Sequence, residues 1–175
     1  GIPYSYISPL AYIRTNIEGT YNVLESAKIH SIDNIIITST SEIYGSALEK
    51  PMNENHRINP QSPYASSKVA ADQLSMSYYY SFELPVKIIR PFNVFGPRQS
   101  VRAVIPTIIL QAIKKNKNIK LGNIKSLRDF TFVPDTCTAF EKCLNSNKFI
   151  GEITNVGSGV SFSIEDIVRK VSNIT

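Results

Sequence analysis

The segment Asn34-Ile-Ile-Ile-Thr-Ser-Thr-Ser-Glu-Ile-Tyr-Gly45 decides how the chain folds. Its first five residues are a short, largely β-branched run that is apolar on both faces, which predicts a strand buried inside a parallel sheet. Polar side chains follow at once, at Ser39, Thr40 and Glu42. Open α/β sheets bind ligands at the carboxyl ends of their strands, so we expect a binding site here. Alternatively, the hydroxyls only form the turns that are common after strands.

Helical patterns flank this strand on both sides. Apolar residues recur at helical spacing from Leu10 to about Ile29. Farther along, Ser62-Pro63 has the residue types of an N-cap and a first helical position, and this second helix is predicted to reach about Phe82. Residues 86–89 form the next predicted strand. The order helix, strand, helix, strand predicts an α/β fold with right-handed crossovers.

The pattern is looser after Arg90, where a loop carries Pro91, Gly96 and Pro97. The predicted elements that follow are a helix at 103–115, short strands at 119–121 and 129–133, a helix at 134–145, a strand at 152–156 and a helix that begins at Ser163. Ser163 and Asp166 have the spacing that is typical of a capping box. We interpret much of this part as a smaller, lid-like unit.

The composition is that of an ordinary soluble protein, with 42% hydrophobic and 19% charged residues. No apolar run approaches the ~20 residues that a membrane-spanning helix needs, so we expect no membrane segment. The first residues do not resemble a secretory signal. Cys137 and Cys143 lie six apart in one predicted helix, on different faces, and we expect both to be reduced. These features favour a cytoplasmic protein.

Neither a metal site nor a nucleic-acid site is expected. His30 and His56 are the only histidines, and neither has a Cys, Asp or Glu partner at a spacing typical of zinc ligands. The net charge is +5, and the one cluster of cations comprises Lys114, Lys115, Lys117 and Lys120. Cations at a helix end complement the helix dipole, so we interpret this cluster as a solvated face. A phosphate-bearing small substrate also fits the sign of the charge.

Tyr64 and Lys68 lie four apart on the second helix, which places the phenol and the ammonium on one helix face. A nearby cation favours the phenolate, so we expect Lys68 to lower the pKa of Tyr64 and make it a usable base. Such a pair also arises by chance in a chain with many Tyr and Lys residues. Its position about 24 residues after Thr40 makes a functional interpretation stronger.

Four motifs together resemble the extended short-chain dehydrogenase/reductase superfamily: Thr38-Ser-Thr-Ser-Glu-Ile-Tyr-Gly45, Ser62-Pro-Tyr-Ala-Ser-Ser-Lys68, Arg90-Pro-Phe-Asn-Val-Phe-Gly-Pro97 and Arg128-Asp-Phe-Thr-Phe-Val-Pro-Asp135. Within it, residues 1–6, 38–42 and 98–106 resemble the LegB-type dehydratases of legionaminic acid synthesis, which act on nucleotide-linked N-acetylglucosamine. The resemblance implies a partial Rossmann-like, doubly wound parallel sheet with a smaller C-terminal substrate-binding region.

The resemblance also implies a domain organisation. Residues 1–97 would be the second half of an NAD-binding Rossmann-like domain, and residues 98–175 a nucleotide-sugar-binding region interleaved with the last Rossmann elements. The closely spaced glycines of a dinucleotide fingerprint do not occur after any predicted strand. We therefore expect the cofactor-binding strands to precede Gly1, the 175-residue chain alone to be poorly stable, and its affinity for NAD to be weak.

By the same resemblance, Tyr64 takes the proton of the sugar C4 hydroxyl while hydride passes to NAD, and Thr40 hydrogen-bonds the same oxygen. Ser39, Tyr64 and Lys68 are the implied cofactor-binding residues, with Lys68 on the nicotinamide ribose. Glu42 then removes the C5 proton, and water leaves from C6. The residues implied in holding the nucleotide diphosphate are Asn93, Arg98 and Arg128. Each of them is alternatively a surface or cap residue. Asn16 on the first helix is a further binding candidate, and it is alternatively an ordinary residue of the helix surface.

The reaction type is left open by Ser41. Many sugar-nucleotide dehydratases have an Asp at this position as the acid for the departing C6 oxygen, and some dehydratases and uronic-acid decarboxylases have Ser-Glu. A UDP-sugar 4-epimerase or a UDP-glucuronate decarboxylase is therefore an alternative, and a non-catalytic nucleotide-binding or scaffold protein is another. The expected partners are a nucleotide-diphosphate sugar and a second copy of the chain, paired through helices 10–29 and 64–82.

Overall fold

The computed structural model describes residues 2–114 and 118–174. Its helices are α1 (Ile2–Ser5), α2 (Pro9–Tyr12), α3 (Gly19–Ile29), α4 (Pro63–Phe82), α5 (Val104–Ile113), α6 (Val133–Leu144) and α7 (Ile164–Ser172). Its strands are β1 (Ile35–Thr38), β2 (Val86–Pro91), β3 (Asn93–Phe95), β4 (Leu127–Phe132), β5 (Ile153–Val156) and β6 (Ser161–Ser163). A π-helical segment (Ile13–Glu18) and two 3₁₀ turns (Ser41–Tyr44 and Asn147–Phe149) complete the described elements.

The chain divides into two compact units. The first unit runs to Phe92 and resumes at Cys137–Val156, and the second takes residues 93–136 and those from Gly157 onward. The chain therefore crosses between the units at three places. β5 therefore belongs to the first unit, although the chain reaches it only after part of the second unit.

The first unit is built on a parallel sheet of three strands in the order β1-β2-β5. Ile35 pairs with Val86 and Ile88 with Ile153, so all three strands end on the same side. β2 is buried along almost its whole length, as expected for a strand inside a parallel sheet. The α/β fold with a parallel Rossmann-like sheet is confirmed.

Two helical stretches pack against this sheet. α4 begins where the sequence predicts, because the Ser62 hydroxyl accepts a hydrogen bond from the amide of Ala65 and Pro63 occupies the first turn. The helix predicted from Leu10 to Ile29 is interrupted by the π-helical segment. The hydrophobic core between helices and sheet comprises Leu24, Ala27, Ile35, Ile37, Met76, Tyr78, Leu84, Val86 and Ile88.

The second unit has its own small sheet and core. Its strand order is β3-β4-β6, with β3 parallel and β6 antiparallel to β4. Ile108 of α5 and Ile164 and Ile167 of α7 form the buried core. The predicted capping box is present, because Ser163 accepts from the amide of Asp166 while the Asp166 carboxylate accepts from the amide of Ser163.

The strand predicted at 119–121 is wrong, because this segment is irregular. The amide of Lys120 donates to Oε1 of Gln111 at 2.8 Å, and its carbonyl accepts from Nε2 of the same side chain at 3.1 Å. A glutamine on α5 thus satisfies the backbone groups that a neighbouring strand would otherwise bind. In the predicted lysine cluster, Lys114 and Lys120 are exposed, while Lys115 and Lys117 lie outside the described residues.

Two further sequence expectations concern the helices. Cys137 and Cys143 both lie on α6 as free cysteines, the first exposed and the second buried. None of the helices within residues 2–114 and 118–174 combines the length and apolar character required to cross a bilayer.

Lys87 is fully buried, and its ammonium caps the C-terminal end of α6. Its Nζ donates to the carbonyls of Cys143 at 2.9 Å and Leu144 at 3.1 Å, the last carbonyls of that helix. A cation at this place also complements the negative end of the helix dipole. The side chain thereby ties β2 to α6 inside the first unit.

Replacing Lys87 by Met is expected to lower the free energy of unfolding by about 1–3 kcal/mol, because buried carbonyls lose their donor. Urea denaturation of the full-length protein measures this change. Lys142→Met is the matched control, since Lys142 is an exposed lysine on the same helix. Equal stability of the two variants would contradict the capping role of Lys87.

Candidate active site

The site begins where β1 ends. Thr40 has an extended backbone and caps the 3₁₀ turn Ser41–Tyr44, with its hydroxyl oxygen accepting from the amide of Glu42 at 3.2 Å. Gly45 closes the turn with φ of +66°. The capped turn therefore fixes Thr40 and Glu42 relative to each other at the carboxyl end of the sheet.

The first turns of α4 bring Tyr64 and Lys68 to the same place. The Nζ of Lys68 donates to the carbonyl of Thr38, the last residue of β1, at 2.8 Å. The Thr40 hydroxyl and the Glu42 carboxylate both lie close enough to the phenol of Tyr64 to influence its pKa. The structure thus unites Thr40, Glu42, Tyr64 and Lys68, the four residues predicted to be catalytic.

The pKa of Tyr64 is raised above its ordinary value, against the expectation that Lys68 lowers it. Burial is the largest cause; the negative charge of Glu42 raises the pKa further, and the Thr40 hydroxyl opposes both. The Lys68 ammonium is directed to the carbonyl of Thr38 rather than to the phenol. The phenol is therefore protonated at neutral pH in this state of the protein.

Lys68 is itself partly withdrawn from water. Burial lowers the pKa of its ammonium, and the negative charge of Asp72, one helical turn farther along α4, acts in the opposite direction. An ammonium carries three N–H donors, and the carbonyl of Thr38 takes one of them. The remaining donors are what Lys68 offers to a hydroxyl-bearing ligand.

Ser39 is turned inward, towards a buried polar network. It is 3% exposed, and its hydroxyl donates to Oδ2 of Asp72 at 2.8 Å. The same oxygen accepts from Nε of Arg90 at 3.0 Å. Arg90 Nη1 donates to the Tyr44 hydroxyl at 2.9 Å, and that hydroxyl donates to Asn155 at 2.8 Å. The network ties the end of β1 to α4, β2 and β5.

Sequence reasoning missed Asp72 and Arg90. A signal for them exists, because Asp72 lies four residues after Lys68 on the same helix face, and Arg90 is a charged residue that directly follows an apolar strand. Neither position alone reveals that the two side chains meet, 18 residues apart. Asn16 is also more than helix surface, because its Nδ2 donates to Oγ of Ser67 at 2.9 Å and joins the π-helical segment to α4.

A second tyrosine ring contacts the candidate base. The ring of Tyr12 meets that of Tyr64 edge-on, with 5.9 Å between centroids and 78° between planes. This arrangement is one of the favourable geometries for aromatic pairs. Tyr12 therefore covers one side of the Tyr64 ring and limits its movement.

The predicted nucleotide-binding residues lie in the second unit. Asn93 opens β3 opposite Phe130 of β4. Arg128 is an exposed residue of β4 whose Nη1 donates to the carbonyl of Leu127 at 2.8 Å. Arg98 is exposed in the loop after β3 with φ of +67°. Both guanidinium groups are accessible to an anion.

Replacing Gly45 by Ala is expected to destabilise the turn that carries Thr40 and Glu42. A β-carbon at Gly45 would lie 2.3 Å from the carbonyl oxygen of Asn59, and φ of +66° disfavours any L side chain. We expect a loss of about 1–3 kcal/mol in the free energy of unfolding, measured by thermal denaturation of the full-length protein. Gly122→Ala is the control, because no atom lies within 4 Å of its β-carbon position. Equal losses in the two variants would refute the strain.

A parallel α/β sheet, hydroxyls at a strand end and a Tyr-Lys pair opening the next helix define a member of the extended short-chain dehydrogenase/reductase superfamily. More narrowly, the chain belongs to the GDP-mannose 4,6 dehydratase family, whose model matches residues 1–175. The superfamily membership that the four motifs predicted is thereby confirmed.

Several known proteins that are similar to this chain have names that describe reactions of nucleotide sugars. The dTDP-D-glucose 4,6-dehydratase of Dictyostelium discoideum is 33% identical over 182 residues, covering 98% of this chain and 42% of that protein. The crystal structure of dTDP-glucose 4,6-dehydratase from Bacillus anthracis in complex with NAD matches with a TM-score of 0.87 and 31% identity, covering 93% of this chain and 52% of that one.

A 4-epimerase is equally similar in structure. UDP-N-acetylglucosamine 4-epimerase from Methanobrevibacter ruminantium, in complex with UDP-N-acetylmuramic acid, matches with a TM-score of 0.92 and 29% identity, covering 99% of this chain and 57% of that one. The chain spans about half the length of the relatives it matches. The three proteins named here therefore represent two different reactions, 4,6-dehydration and 4-epimerisation.

Proposed function

We propose that the full-length protein is an NAD-dependent nucleotide-sugar 4,6-dehydratase. The observation that carries the proposal is that Thr40 and Glu42, on the capped turn after β1, share one place with the start of α4, whose Lys68 donates to the carbonyl of Thr38 at the end of β1 and whose Tyr64 lies close enough to Glu42 to be influenced by its charge. Elimination of water from a 4-keto sugar needs a base for C5 in addition to the acid–base group at C4. Glu42 supplies that second base.

The residues present fit the proposed cofactor, NAD. The Lys68 ammonium has donors left for the hydroxyls of a ribose after bonding the carbonyl of Thr38. The Ser39 hydroxyl proton is directed to Asp72, so only its oxygen lone pairs remain to accept from a ligand. When bound, NAD would accept the hydride of C4 in its oxidised form and return that hydride to C6 in its reduced form, and the positive charge of the oxidised ring would favour the phenolate of Tyr64.

Tyr64 and Thr40 act at the C4 hydroxyl of the sugar. Tyr64 accepts the C4 hydroxyl proton as the C4–H bond breaks, and Thr40 hydrogen-bonds the same oxygen. The capped turn after β1 holds Thr40 in place, and the first turn of α4 holds Tyr64. The product of this step is a 4-keto sugar.

Glu42 acts at C5 of that ketone. The carbonyl acidifies the neighbouring hydrogen, and the carboxylate takes it as a general base while the C6 hydroxyl departs. Ser41 stands where many such enzymes have the acid for the leaving oxygen, so that proton comes from another group. We assign that proton to Glu42, which carries it after it has deprotonated C5.

Substrate binding falls to the second unit. We assign the nucleotide diphosphate to Asn93, Arg98 and Arg128, because a guanidinium presents a planar fork suited to phosphate oxygens and both arginines are exposed. The sugar assigned by the LegB-type resemblance is N-acetylglucosamine, linked to UDP or GDP. The product is then a precursor of bacterial surface sugars such as legionaminic acid.

The proposed assembly is a cytoplasmic homodimer through the helices at 10–29 and 64–82. Exposed apolar side chains on these helices support the proposal: Leu10, Ile13, Tyr21, Val23 and Tyr80 are each between 44% and 74% exposed. Burying such residues against a second copy removes apolar surface from water. Sedimentation of the full-length protein measures the state of association.

A 4-epimerase is the second candidate, supported by the similarity to the Methanobrevibacter ruminantium enzyme. The deciding experiment incubates the full-length protein and NAD with UDP- and GDP-linked N-acetylglucosamine and, in a separate reaction, with UDP-glucuronate, and identifies each product. A 4-keto-6-deoxy sugar supports the dehydratase. An epimer, or carbon dioxide from UDP-glucuronate, refutes it, and binding without turnover favours a scaffold role.

A further inference from the structure

The buried pair of Asp72 and Arg90 is the feature of the first unit that the proposed reaction does not use. Each side chain is only 1% exposed, and the two are joined by a single contact of 3.0 Å between Nε and Oδ2. Among the described residues, Oδ1 of Asp72 and Nη2 of Arg90 have no hydrogen-bond partner. The pair is thus buried, charged and only partly satisfied.

Such a pair is a poor device for stability. Withdrawing two charges from water costs several kcal/mol per ion, and their attraction offsets this cost only when every donor and acceptor is satisfied. Here one carboxylate oxygen and one guanidinium nitrogen are left over. An apolar pair of the same volume would fill the space as well. The position of the charges therefore needs an explanation other than the stability of the fold.

The contacts of Asp72 point to the candidate active site. Its Oδ2 accepts from the hydroxyl of Ser39, the residue directly before Thr40. The amide of Ser39 also donates to the carbonyl of Ile89 on β2 at 2.7 Å, so this residue is fixed by both its backbone and its side chain. On α4, Lys68 lies one turn before Asp72, with its ammonium on the carbonyl of Thr38.

We propose that Asp72 is a positioning residue for the reaction: its carboxylate, held in place by Arg90, fixes Ser39 and attracts the Lys68 ammonium, one helical turn away, towards the end of β1. This inference rests on the proposed function. Residues on both sides of Thr40 are then fixed, Ser39 by Asp72 and Glu42 by the capped turn. The consequence is a fixed distance between Thr40 and Tyr64, on which proton transfer depends.

The test separates positioning from stability by removing the charges one at a time and together. Asp72→Asn alone leaves the Arg90 charge buried without its partner and is expected to destabilise the protein. Asp72→Asn with Arg90→Met removes both charges, so the melting temperature is expected to return close to that of the wild type. The kcat of this double variant is expected to remain about a hundredfold lower, the loss that a misplacement of about 1 Å produces, with KM unchanged.

Ser75→Ala is the matched control. Ser75 is a fully buried residue of α4 whose hydroxyl donates to the carbonyl of Ala71 on the same helix, and its loss is expected to leave kcat unchanged. A double variant with wild-type kcat overturns the inference. Where the double variant does not fold, Ser39→Ala decides, since it leaves the ion pair intact: lower kcat at unchanged KM and NAD affinity supports positioning, and wild-type kcat overturns it.

A crystal structure of the double variant gives a readout that is independent of the reaction. We expect the Ser39 hydroxyl to rotate and the Lys68 Nζ to leave the carbonyl of Thr38, now 2.8 Å away. If both side chains keep their places, the inference fails whatever the activity. If the wild-type enzyme transforms no nucleotide sugar, the proposed function fails, and the geometry still decides the role of Asp72.

Discussion

Replacing Tyr64 by Phe in the full-length enzyme is expected to lower kcat by about 10²–10⁴-fold while leaving KM nearly unchanged. The substitution removes the only atom of the side chain that can accept the C4 proton. It keeps the ring that contacts Tyr12 edge-on. Steady-state turnover of the nucleotide sugar with NAD measures the effect.

Tyr6→Phe is the control for this prediction, because Tyr6 is 62% exposed and lies outside the helices proposed to form the dimer. Its turnover is expected to equal that of the wild type. Full activity of Tyr64→Phe would exclude the phenol as the base at C4. A rise in KM at unchanged kcat would instead assign Tyr64 to binding.

The direction of the Tyr64 pKa shift determines how the reaction rate is expected to depend on pH. Burial and the Glu42 charge raise the pKa of the phenol, so the base form is gained as pH rises through that raised value. We therefore expect kcat/KM of the wild type to increase with pH on the acid side of its optimum. This limb is expected to disappear in Tyr64→Phe, whose residual rate no longer depends on the phenol.

The parts of the fold that sequence reasoning predicts are those whose local chemistry agrees with their surroundings. β1 and α4 are predicted because a β-branched run and a Ser-Pro start are strong local signals. β3 was not predicted, since its three residues pair with β4 only through contacts distant in sequence. The strand predicted at 119–121 is wrong for a similar reason, because a contact outside the segment decides its structure. The side chain of Gln111 hydrogen-bonds the backbone amide and carbonyl of Lys120.

The site divides in a similar way. Thr40, Glu42, Tyr64 and Lys68 are found from the sequence because each lies just after a strand or at the start of a helix, where spacing determines position. The hydrogen-bond partner of Lys68 is not predicted from the sequence, because its ammonium donates to the carbonyl of Thr38 and not to the phenol of Tyr64. The direction of the Tyr64 pKa follows from burial, which spacing does not reveal.

Replacing Glu42 by Gln is expected to affect the two halves of the reaction in opposite directions. Loss of the carboxylate removes the base for C5, so formation of the 4-keto-6-deoxy product is expected to fall by about 10²–10⁴-fold. Oxidation at C4 does not need this carboxylate. Exchange of the C5 hydrogen with deuterium from solvent, followed by mass spectrometry, is therefore expected to be lost while C4 oxidation continues.

The C4 step is expected to change in the opposite sense because Glu42 and Tyr64 are coupled. The negative charge of Glu42 raises the pKa of Tyr64, so its neutralisation lowers that pKa and provides more of the base form at low pH. The acid limb of C4 oxidation, followed by the absorbance of reduced cofactor in single turnovers, is expected to move to lower pH in Glu42→Gln. Glu49→Gln, an exposed glutamate beyond the turn, is expected to change neither step. A Glu42→Gln enzyme that makes an epimer at the wild-type rate would show that C5 is never deprotonated, and the 4-epimerase would replace the dehydratase.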